Sequence, residues 1–406
     1  MKILQLCNKS PFPPLEGGPI AMNSITTSLI DYGHKVKVLA VNSYKYQVDS
    51  SKLPADYVKS TNIEFVFVDL RIKKMAAFLN LFTFKSYHIE RFKSKDFQNK
   101  LIEILQNETF DVVQIETIFL TPYIATIRKY SKAKIVLRAH NIEHLIWKRL
   151  QSNCTSLLKK IYLIHIVRTL KMYELKVVNQ LDGVITISKP DLDFFVAHGC
   201  KSPIKVIPFG ISKKTIDAVN PTFLANNFEK INIGYIGSMN WMPNIEGVEW
   251  FLNHVWEPIS RQNNKLVFNL AGRFIPKHFY DYQIPNFVIH GEVESASEFI
   301  NSNDIMIAPL FSGSGIRIKI IESMLQGKPV ITTTVGAEGI NFTDRHDVLI
   351  ANTADEFIDA ITILSQNSDL RKIVGTNAHE LIHLNHNMSI ITPLLIEFYK
   401  SLPSHE

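Results

Sequence analysis

The residues with the clearest chemical potential lie in the stretch 303–334, where two short apolar runs flank a glycine-rich turn. The runs Ile305–Ala308 and Val330–Thr332 predict buried strands, because they are short and bounded by Gly and Pro. A helical pattern from Ile316 to Leu325 lies between them. Strand, turn, helix and strand in this order predict a βαβ unit, and hence a parallel sheet.

The turn places Gly313, Ser314 and Gly315 after the first strand, at the edge where parallel sheets bind ligands. Their small side chains let backbone N–H groups approach a phosphate at a helix N-terminus, where the helix dipole favours negative charge. Arg317 and Lys319 follow in the predicted first turn. A cation there opposes the dipole unless an anion is bound, so the pattern predicts a phosphate site.

Three other interpretations of this stretch compete with a phosphate site. Arg317 and Lys319 could lie on a solvated helix face, and the glycines could form an ordinary tight turn. A dinucleotide fingerprint with Glu338 as the ribose-binding acid is rejected, because Ile318 stands where the third glycine is required. The combination of glycines, two cations and Glu322 in one short segment favours the phosphate site.

The same stretch resembles the donor-binding region of retaining GT-B glycosyltransferases of family four. Glu322-Ser323-Met324, Gly327 and Pro329-Val330 match the family motif, and Gly-Ser-Gly-x-Arg-x-Lys before the glutamate matches a bacterial subgroup. The resemblance implies that Glu322 holds the ribose hydroxyls of a nucleotide sugar. The family has an acidic residue where this chain has Ser314, so the sugar contact of that acid does not carry over.

His140 is the candidate catalytic residue of the first half. It follows the predicted strand Lys134–Ala139, and a lone histidine in such a place is more often structural than catalytic. The family carries a histidine after this strand, near the hydroxyls of the transferred sugar and the donor phosphate. The resemblance therefore implies that role for His140, and it places Gly18, in a Pro- and Gly-rich loop, near the phosphates and the acceptor.

Further donor contacts are expected in the second half. After the predicted strand Ile231–Ile236, most of the family has Arg and Lys that bind the diphosphate, whereas this chain has Ser238 and Asn244. We therefore expect Arg317 and Lys319 to neutralise the diphosphate. The predicted catalytic residues are His140, Arg317 and Lys319, and the predicted donor-binding residues are Gly18, Ser238, Glu292, Val293, Gly313, Ser314, Gly315 and Glu322.

These elements indicate an α/β protein, and the resemblance implies the GT-B fold: two Rossmann-like domains with parallel sheets facing a cleft. Residues 1–212 are expected to form the acceptor-side domain, completed by a C-terminal helix within 387–406 that crosses back to it. Residues 213–386 are expected to form the donor-binding domain. The length of 406 residues suits two domains with separate cores.

The charge of the chain is unevenly divided. Residues 1–205 carry a formal net charge of +13, and residues 206–406 carry −7. A basic half favours an anionic partner such as a membrane surface, a lipid phosphate or a nucleic acid, but no motif for nucleic-acid readout is visible. The basic, Phe-rich segment 71–95 fits either a packed helix pair with solvated lysines or a membrane-facing patch, and both interpretations stay open.

The predicted reaction is transfer of a hexose-type sugar from a nucleotide diphosphate to a hydroxyl of a glycan or lipid-linked acceptor in bacterial surface-polysaccharide synthesis. The resemblance implies retention of configuration and no metal or other cofactor. Three widely spaced cysteines predict a cytoplasmic protein, located at the inner face of the membrane if the basic half binds lipid. A nucleotide-sugar epimerase, a non-catalytic sugar-nucleotide-binding subunit and a nucleic-acid binder remain as alternatives.

Overall fold

The protein is described from a computed structural model that covers residues 1–14, 16–152, 154, 156–219, 221, 230–313 and 316–403. The chain divides into two compact units. Unit 1 consists of residues 1–212 together with 388–406, and unit 2 consists of residues 213–387.

Each unit contains one sheet in which all neighbouring strands pair in parallel. The strands of unit 1 are Lys2–Cys7 (β1), Lys35–Asn42 (β2), Glu64–Phe67 (β3), Val112–Glu116 (β4), Lys134–Ala139 (β5), Gly183–Thr186 (β6) and Ile204–Val206 (β7). Those of unit 2 are Ile231–Ile236 (β8), Leu266–Ala271 (β9), Phe287–Gly291 (β10), Ile305–Ala308 (β11), Val330–Thr332 (β12) and Leu349–Ile350 (β13).

Helices connect the strands. They are Gly17–Asp31 (α1), Ala55–Thr61 (α2), Lys74–Asn80 (α3), Tyr87–Glu90 (α4), Lys95–Asn107 (α5), Ile124–Tyr130 (α6), Glu143–Ser152 (α7), Leu157–Val177 (α8), Lys189–Ala197 (α9), Lys213–Ala218 (α10), Met242–Phe251 (α11), Glu257–Gln262 (α12), Ala296–Asn301 (α13), Ile318–Leu325 (α14), Ala354–Gln366 (α15), Ser368–Asn385 (α16) and Met388–Ser401 (α17). A π-helical turn, Leu252–Trp256, joins α11 to α12.

The strands of unit 1 form a sheet in the order β3-β2-β1-β4-β5-β6-β7. Its strands are nearly continuous apolar runs, as expected for a parallel sheet that is buried on both faces. Two separate apolar cores contain side chains from these strands. Polar residues interrupt the runs in β1, β4 and β5, namely Gln5, Gln114, Glu116 and Arg138.

The last helix, α17, packs on α1 of unit 1. The hydroxyls of Ser28 and Thr392 lie 2.6 Å apart, and Leu395 is fully buried in one of the two cores. The hydroxyl of Tyr399 donates a hydrogen bond to the side chain of Gln114 in β4. The C-terminal segment is therefore part of the packing of unit 1.

The sheet of unit 2 has the order β10-β9-β8-β11-β12-β13. This is the strand order 3-2-1-4-5-6 of the dinucleotide-binding Rossmann fold. The order reverses between β8 and β11, so the connections that follow these two strands leave a crevice at their carboxyl ends. Unit 2 has its own apolar core, which includes Trp256, Phe268 and Phe357.

The predicted fold class is confirmed: the chain is α/β, with two Rossmann-like parallel sheets. Two local predictions were wrong. Gly18, predicted in a loop, lies in the first turn of α1, which begins at Gly17. The helix predicted from Ile316 begins at Ile318, and Arg317 is its N-cap residue with extended backbone dihedrals of −92° and 92°. Apolar periodicity could not place this end, because the pattern fits a helix that begins at Ile316 as well as one that begins at Ile318.

Candidate functional site

The crevice of unit 2 is formed where β8 and β11 end. Gly237 follows β8, and Pro309 follows β11. The helix α11 approaches this edge very closely, since a Cβ atom added to Gly247 would lie 2.1 Å from the carbonyl oxygen of Pro309. The sequence therefore brings α11 and the start of α14 to one edge of the sheet.

Lys319 projects from the first turn of α14 toward the end of β8. Its Nζ donates hydrogen bonds to the hydroxyl of Tyr235 at 2.7 Å and to Oδ1 of Asn244 at 2.9 Å. Both partners are neutral, and none of the ion pairs found among the described residues joins a carboxylate to Lys319. Burial, and then the charge of Arg317, lower the pKa of Lys319 well below its usual value.

A glycine makes room for this ammonium group. A Cβ atom on Gly237 would lie 2.8 Å from Nζ of Lys319 and 3.0 Å from the hydroxyl oxygen of Tyr235. Contacts this short are essentially absent from protein interiors, so any larger residue would displace the lysine. The small residue after β8 therefore determines where the positive charge lies.

Arg317 adjoins the same crevice. Its side chain is buried, with 4% exposure, and its guanidinium carbon lies 5.6 Å from the centre of the Trp241 ring. Gly313 has a φ of 96°, in the left-handed region, and a Cβ atom there would lie 2.8 Å from the indole. The alternative of a solvated helix face is wrong for Arg317, because this side chain turns inward.

Glu322 lies one turn beyond Lys319 on α14 and is partly buried. Burial raises the pKa of its carboxyl group to about 7. Among the described residues, no hydrogen bond or ion pair joins this carboxylate to another side chain. A carboxyl group with such a pKa changes between an acceptor and a donor near neutral pH.

The remaining predicted donor residues surround the crevice. The hydroxyl of Ser238 donates to Oδ1 of Asn240 at 3.0 Å, and its carbonyl accepts from Nδ2 of Asn244 at 2.8 Å. Glu292 follows β10, is exposed, and pairs with Arg273 at 3.2 Å. Val293 comes next and is partly exposed.

The loop after β9 connects the ends of β8 and β10. The N–H group of Gly272 donates to the carbonyl of Gly291 at 2.7 Å, and a Cβ atom on Gly272 would lie 1.8 Å from the carbonyl oxygen of Gly237. This close packing brings the strand ends that carry Ser238 and Glu292 near each other. Ser314 and Gly315 lie outside the described residues.

His140 and Gly18 belong to unit 1 and lie on its sheet edge. His140 follows β5, and its Nε2 lies 2.5 Å from Oε2 of Glu116. Gly18 lies in the first turn of α1, where a Cβ atom would meet Cε of Lys9 at 3.1 Å. Lys9 in turn pairs with Glu16 at 3.0 Å.

Sequence reasoning missed three contributors: Glu116, Tyr235 and Trp241. Glu116 left a signal, because Gln114 and Glu116 alternate in an otherwise apolar strand and so point to one face. A polar pair in a buried strand requires partners. Tyr235 and Trp241 left no comparable signal, since an aromatic residue in or after a strand usually belongs to the core.

The structure shows no group of three or more His, Cys, Asp or Glu side chains that could hold a metal ion, as far as the described residues extend. Metal independence therefore stays a prediction. Within the same residues, no helix is long and apolar enough to cross a membrane.

Two family models match the chain. Residues 22–214 match the model described as Glycosyltransferase Family 4, and residues 230–367 match the model described as Glycosyl transferases group 1. The chain is a family-four glycosyltransferase. The two matched regions fall in unit 1 and unit 2 respectively, apart from the first residues of unit 2, so each sheet has its own family assignment.

Relatives of the glycosyltransferase are distant in sequence. An uncharacterised 44.6 kDa protein in the cps region of Klebsiella pneumoniae is 24% identical over 399 residues, covering 95% of this chain and 96% of the relative. The structure of sucrose-phosphate synthase from Thermosynechococcus elongatus has a TM-score of 0.70 and 14% identity, with 98% of each chain covered. Anabaena HepE in complex with UDP has a TM-score of 0.68 and 13% identity, with 99% of this chain and 100% of the other covered. At such identities these structures support the GT-B fold.

The geometry around Lys319 predicts opposite effects on stability and on anion binding for Lys319→Met. We expect the ligand-free variant to melt at the same or a higher temperature, because an apolar side chain replaces a charge held only by neutral partners. Inorganic pyrophosphate should raise the melting temperature of the wild type and have little effect on the variant. Differential scanning fluorimetry measures both.

Lys328→Met is the matched control. Lys328 is another buried lysine of unit 2, with 2% exposure, and its Nζ donates to the carbonyl of Asn301 at 3.0 Å. It immediately precedes Pro329 and β12, at the amino end of the strands, away from the crevice. Its loss should leave the pyrophosphate effect intact. A full pyrophosphate shift in Lys319→Met would show that this ammonium is not an anion ligand.

Proposed function

We propose that this glycosyltransferase moves a hexose-type sugar from a nucleoside diphosphate donor to a hydroxyl of a glycan or lipid-linked acceptor, with retention of configuration. The observation that carries the proposal is the ammonium group of Lys319, held by two neutral partners at the switch point of a Rossmann sheet. A charge so placed is stabilised by an anionic ligand, and the diphosphate of a sugar nucleotide is such a ligand.

The proposed chemistry is stabilisation of a leaving diphosphate. Negative charge grows on the diphosphate as its bond to the anomeric carbon breaks, and donors fixed in advance around that charge lower the barrier. Arg317 and Lys319 supply cations, and the backbone N–H groups near Gly313 and Ser238 supply dipoles.

The other donor residues follow the resemblance. Glu322 binds the ribose hydroxyls, the backbone at Glu292 and Val293 meets the base, and Ser314 and Gly315 contribute to phosphate binding. In unit 1, His140 contacts the transferred sugar, and Gly18 lies near the phosphates and the acceptor. Solved structures of HepE contain UDP or UDP-glucose, which supports a nucleotide-sugar donor for this chain as well.

The proposed pathway is bacterial surface-polysaccharide synthesis. The Klebsiella relative, which matches over nearly its whole length, is named for its place in the cps region. That location supports a polysaccharide acceptor more directly than the fold does, because GT-B folds serve many acceptors.

The donor is tested with a panel of UDP-glucose, UDP-N-acetylglucosamine, GDP-mannose and dTDP-rhamnose. A sugar nucleotide at 100 times its dissociation constant should stabilise the wild type by about 2.7 kcal/mol. Arg317→Ala should lose most of this effect, and it should lose turnover at least as strongly, because the guanidinium faces the growing charge. Thermal shift and release of nucleoside diphosphate are the two readouts.

Arg261→Ala is the control for this experiment, because Arg261 is exposed on α12 and pairs only locally with Glu257 at 2.8 Å. It should behave like the wild type with every donor. Full donor affinity and rate in Arg317→Ala would refute the role of Arg317. Conversion of a donor to its epimer without acceptor would replace transfer by epimerisation.

The raised pKa of Glu322 predicts that donor binding depends on pH. Its carboxyl group has a pKa of about 7, and ribose hydroxyls bind better to the ionised form, which accepts at both oxygens. Affinity for the sugar nucleotide should therefore rise as the pH increases through about 7. Glu322→Gln should abolish this rise. Isothermal titration between about pH 5.5 and 8.5 measures it.

A sugar nucleotide is the right probe for this titration, because it has no terminal phosphate monoester that ionises near pH 6. Glu380→Gln, which changes an exposed carboxylate on α16, serves as the control and should keep the rise. If Glu322→Gln keeps the same pH profile as the wild type, the ribose assignment fails.

Unit 1 also carries an exposed apolar surface that fits a lipid-linked acceptor. Segment 71–95 exposes Phe82 and Phe84 to 77% and 78%, and it is rich in lysine and arginine. We define its exposed apolar side chains as the apolar patch: Ile72, Met75, Phe78, Leu79, Phe82 and Phe84. Apolar side chains beside cations match an anionic lipid surface.

A stripe on α8 extends this apolar character. Leu157, Ile161, Ile164 and Met172 lie on one face at helical spacing, and all are exposed. The opposite face is buried and includes Ile166 and Leu170, so α8 carries apolar side chains on both faces. This pattern is typical of a helix whose outer face also contacts an apolar partner, such as a lipid. Segment 71–95 adjoins α8, because α4 packs against it.

We expect the protein to bind vesicles of phosphatidylcholine with phosphatidylglycerol more tightly than vesicles of phosphatidylcholine alone. Phe82→Ser with Phe84→Ser should weaken this binding about tenfold or more, since two aromatic side chains no longer enter the interface. Co-sedimentation measures the bound fraction. Ile373→Ser, which changes an exposed apolar residue of unit 2, should have no effect. Equal binding of wild type and double variant would exclude the apolar patch as the lipid contact.

A further inference from the structure

Glu116, a carboxylate with no exposed surface, lies beneath His140 at the carboxyl end of β4. Its Oε2 atom lies 2.5 Å from Nε2 of His140 and accepts from Nη1 of Arg138 at 3.2 Å, and this Nη1 also lies 3.3 Å from Nε2 of His140. Its Oε1 atom accepts from the side-chain amide of Gln5 at 2.8 Å and from that of Gln114. We call these five residues the Glu116 cluster.

The two glutamines have fixed orientations in this cluster. The carbonyl oxygen of the Gln5 side chain accepts from the hydroxyl of Thr26 at 2.5 Å, and that of Gln114 accepts from the hydroxyl of Tyr399. Each amide therefore turns its NH₂ group toward Glu116. The carboxylate thus receives four hydrogen bonds, and it has no capacity to donate one.

The ionisation of Glu116 follows from the same contacts. Burial by itself raises the pKa of the carboxyl group, but the charge of Arg138 and the hydrogen bond from His140 outweigh burial and lower the pKa to about 2. An ionised carboxylate only accepts hydrogen bonds. The contact of 2.5 Å between Oε2 of Glu116 and Nε2 of His140 is much shorter than the 3.3 Å between Nη1 of Arg138 and the same nitrogen, and it needs a hydrogen that the carboxylate does not have. The hydrogen therefore belongs to Nε2 of the histidine.

The other ring nitrogen of His140 then has a defined role. Burial lowers the pKa of His140, and the positive charges of Arg138 and Lys9 act in the same direction, although the contact with Glu116 opposes them. The ring is neutral above its lowered pKa, with its hydrogen on Nε2 and a lone pair on Nδ1. Within the described part of the chain, no hydrogen bond occupies Nδ1.

We propose that Glu116 is a positioning residue that holds His140 as the Nε2–H tautomer, so that Nδ1 accepts a hydrogen bond from a hydroxyl of the transferred sugar. This inference rests on the proposed function, because it assumes that the sugar lies at His140. It specifies the direction of the hydrogen bond: the sugar hydroxyl donates and Nδ1 accepts. A sugar that lacks this hydroxyl leaves the fixed lone pair without a donor and is therefore a poorer substrate.

The first test needs no ligand. A long-range ¹H–¹⁵N spectrum of the wild-type protein at pH 7.5, assigned with His140→Gln, should show a protonated Nε2 and an unprotonated Nδ1 for His140. A spectrum of the Nδ1–H tautomer, or of the doubly protonated ring, would overturn the proposal whatever the enzyme acts on.

The second test is Glu116→Gln, which keeps the size of the side chain but replaces one acceptor oxygen by an NH₂ group. That group can donate to Nε2 of His140, and the ring should then move its hydrogen to Nδ1. With the fastest donor of the panel above, kcat/KM should fall about 10- to 100-fold, because a hydroxyl loses its acceptor and meets a donor. Affinity for the nucleoside diphosphate without the sugar should stay unchanged.

Asp182→Asn is the matched control. Asp182 is also a buried carboxylate paired with an arginine, with Arg128 at 2.7 Å, and it accepts from the N–H group of Ile135 at 2.6 Å. It immediately precedes β6, and its carboxylate contacts the amino end of β5, at the opposite edge of the same sheet from His140. Replacing this carboxylate should lower stability for the same reason as Glu116→Gln, because a buried ion pair is broken. It should leave the His140 tautomer and kcat/KM as in the wild type.

The outcomes separate the two proposals. A tautomer change in Glu116→Gln without a loss in kcat/KM overturns the sugar contact, and a loss equal to that of Asp182→Asn assigns Glu116 to stability alone. If the wild type transfers no sugar from any member of the panel, the proposed function fails, while the tautomer spectrum still decides what Glu116 does to His140.

Discussion

The second unit depends on one electrostatic feature, a lysine ammonium that is held by a phenol and an amide. Removing an ammonium group from water costs several kcal/mol unless an opposite charge compensates for it. Tyr235 and Asn244 supply hydrogen bonds but no negative charge. The ligand-free unit is therefore less stable than it would be with an apolar residue there, and an anion at the crevice relieves this cost.

The backbone around the crevice serves this arrangement. Gly237 leaves space for the ammonium, Gly247 lets α11 approach the end of β11, and Gly272 lets the loop after β9 pass the carbonyl of Gly237. Each close approach involves a different strand connection. The crevice is consequently a product of the parallel sheet and its short connections, and single enlarged residues would open it.

Much of this architecture could be predicted from the sequence, because buried parallel strands are recognisable as short apolar runs bounded by Gly and Pro. The strands Ile305–Ala308, Val330–Thr332 and Lys134–Ala139 have the predicted bounds. The position of Arg317 could not be predicted, since helical periodicity cannot distinguish a cap residue from the first turn. The role of Glu116 could not be predicted, because it depends on contacts with Gln5, Arg138 and His140. These residues lie far apart in the sequence and come together only across strands β1, β4 and β5.

The two units treat their buried charges in opposite ways, and the difference indicates what each sheet edge does. Glu116 in unit 1 is compensated by Arg138 and four hydrogen bonds, so its charge is balanced before any ligand arrives. Such a balanced group orients a neighbour and gains nothing from an additional ion. Lys319 in unit 2 has hydrogen-bond partners without charge, so its electrostatic balance requires an anion. In the proposed function, the sheet edge of unit 1 contributes a neutral, oriented hydrogen-bonding group, and that of unit 2 contributes the charge that a departing diphosphate needs.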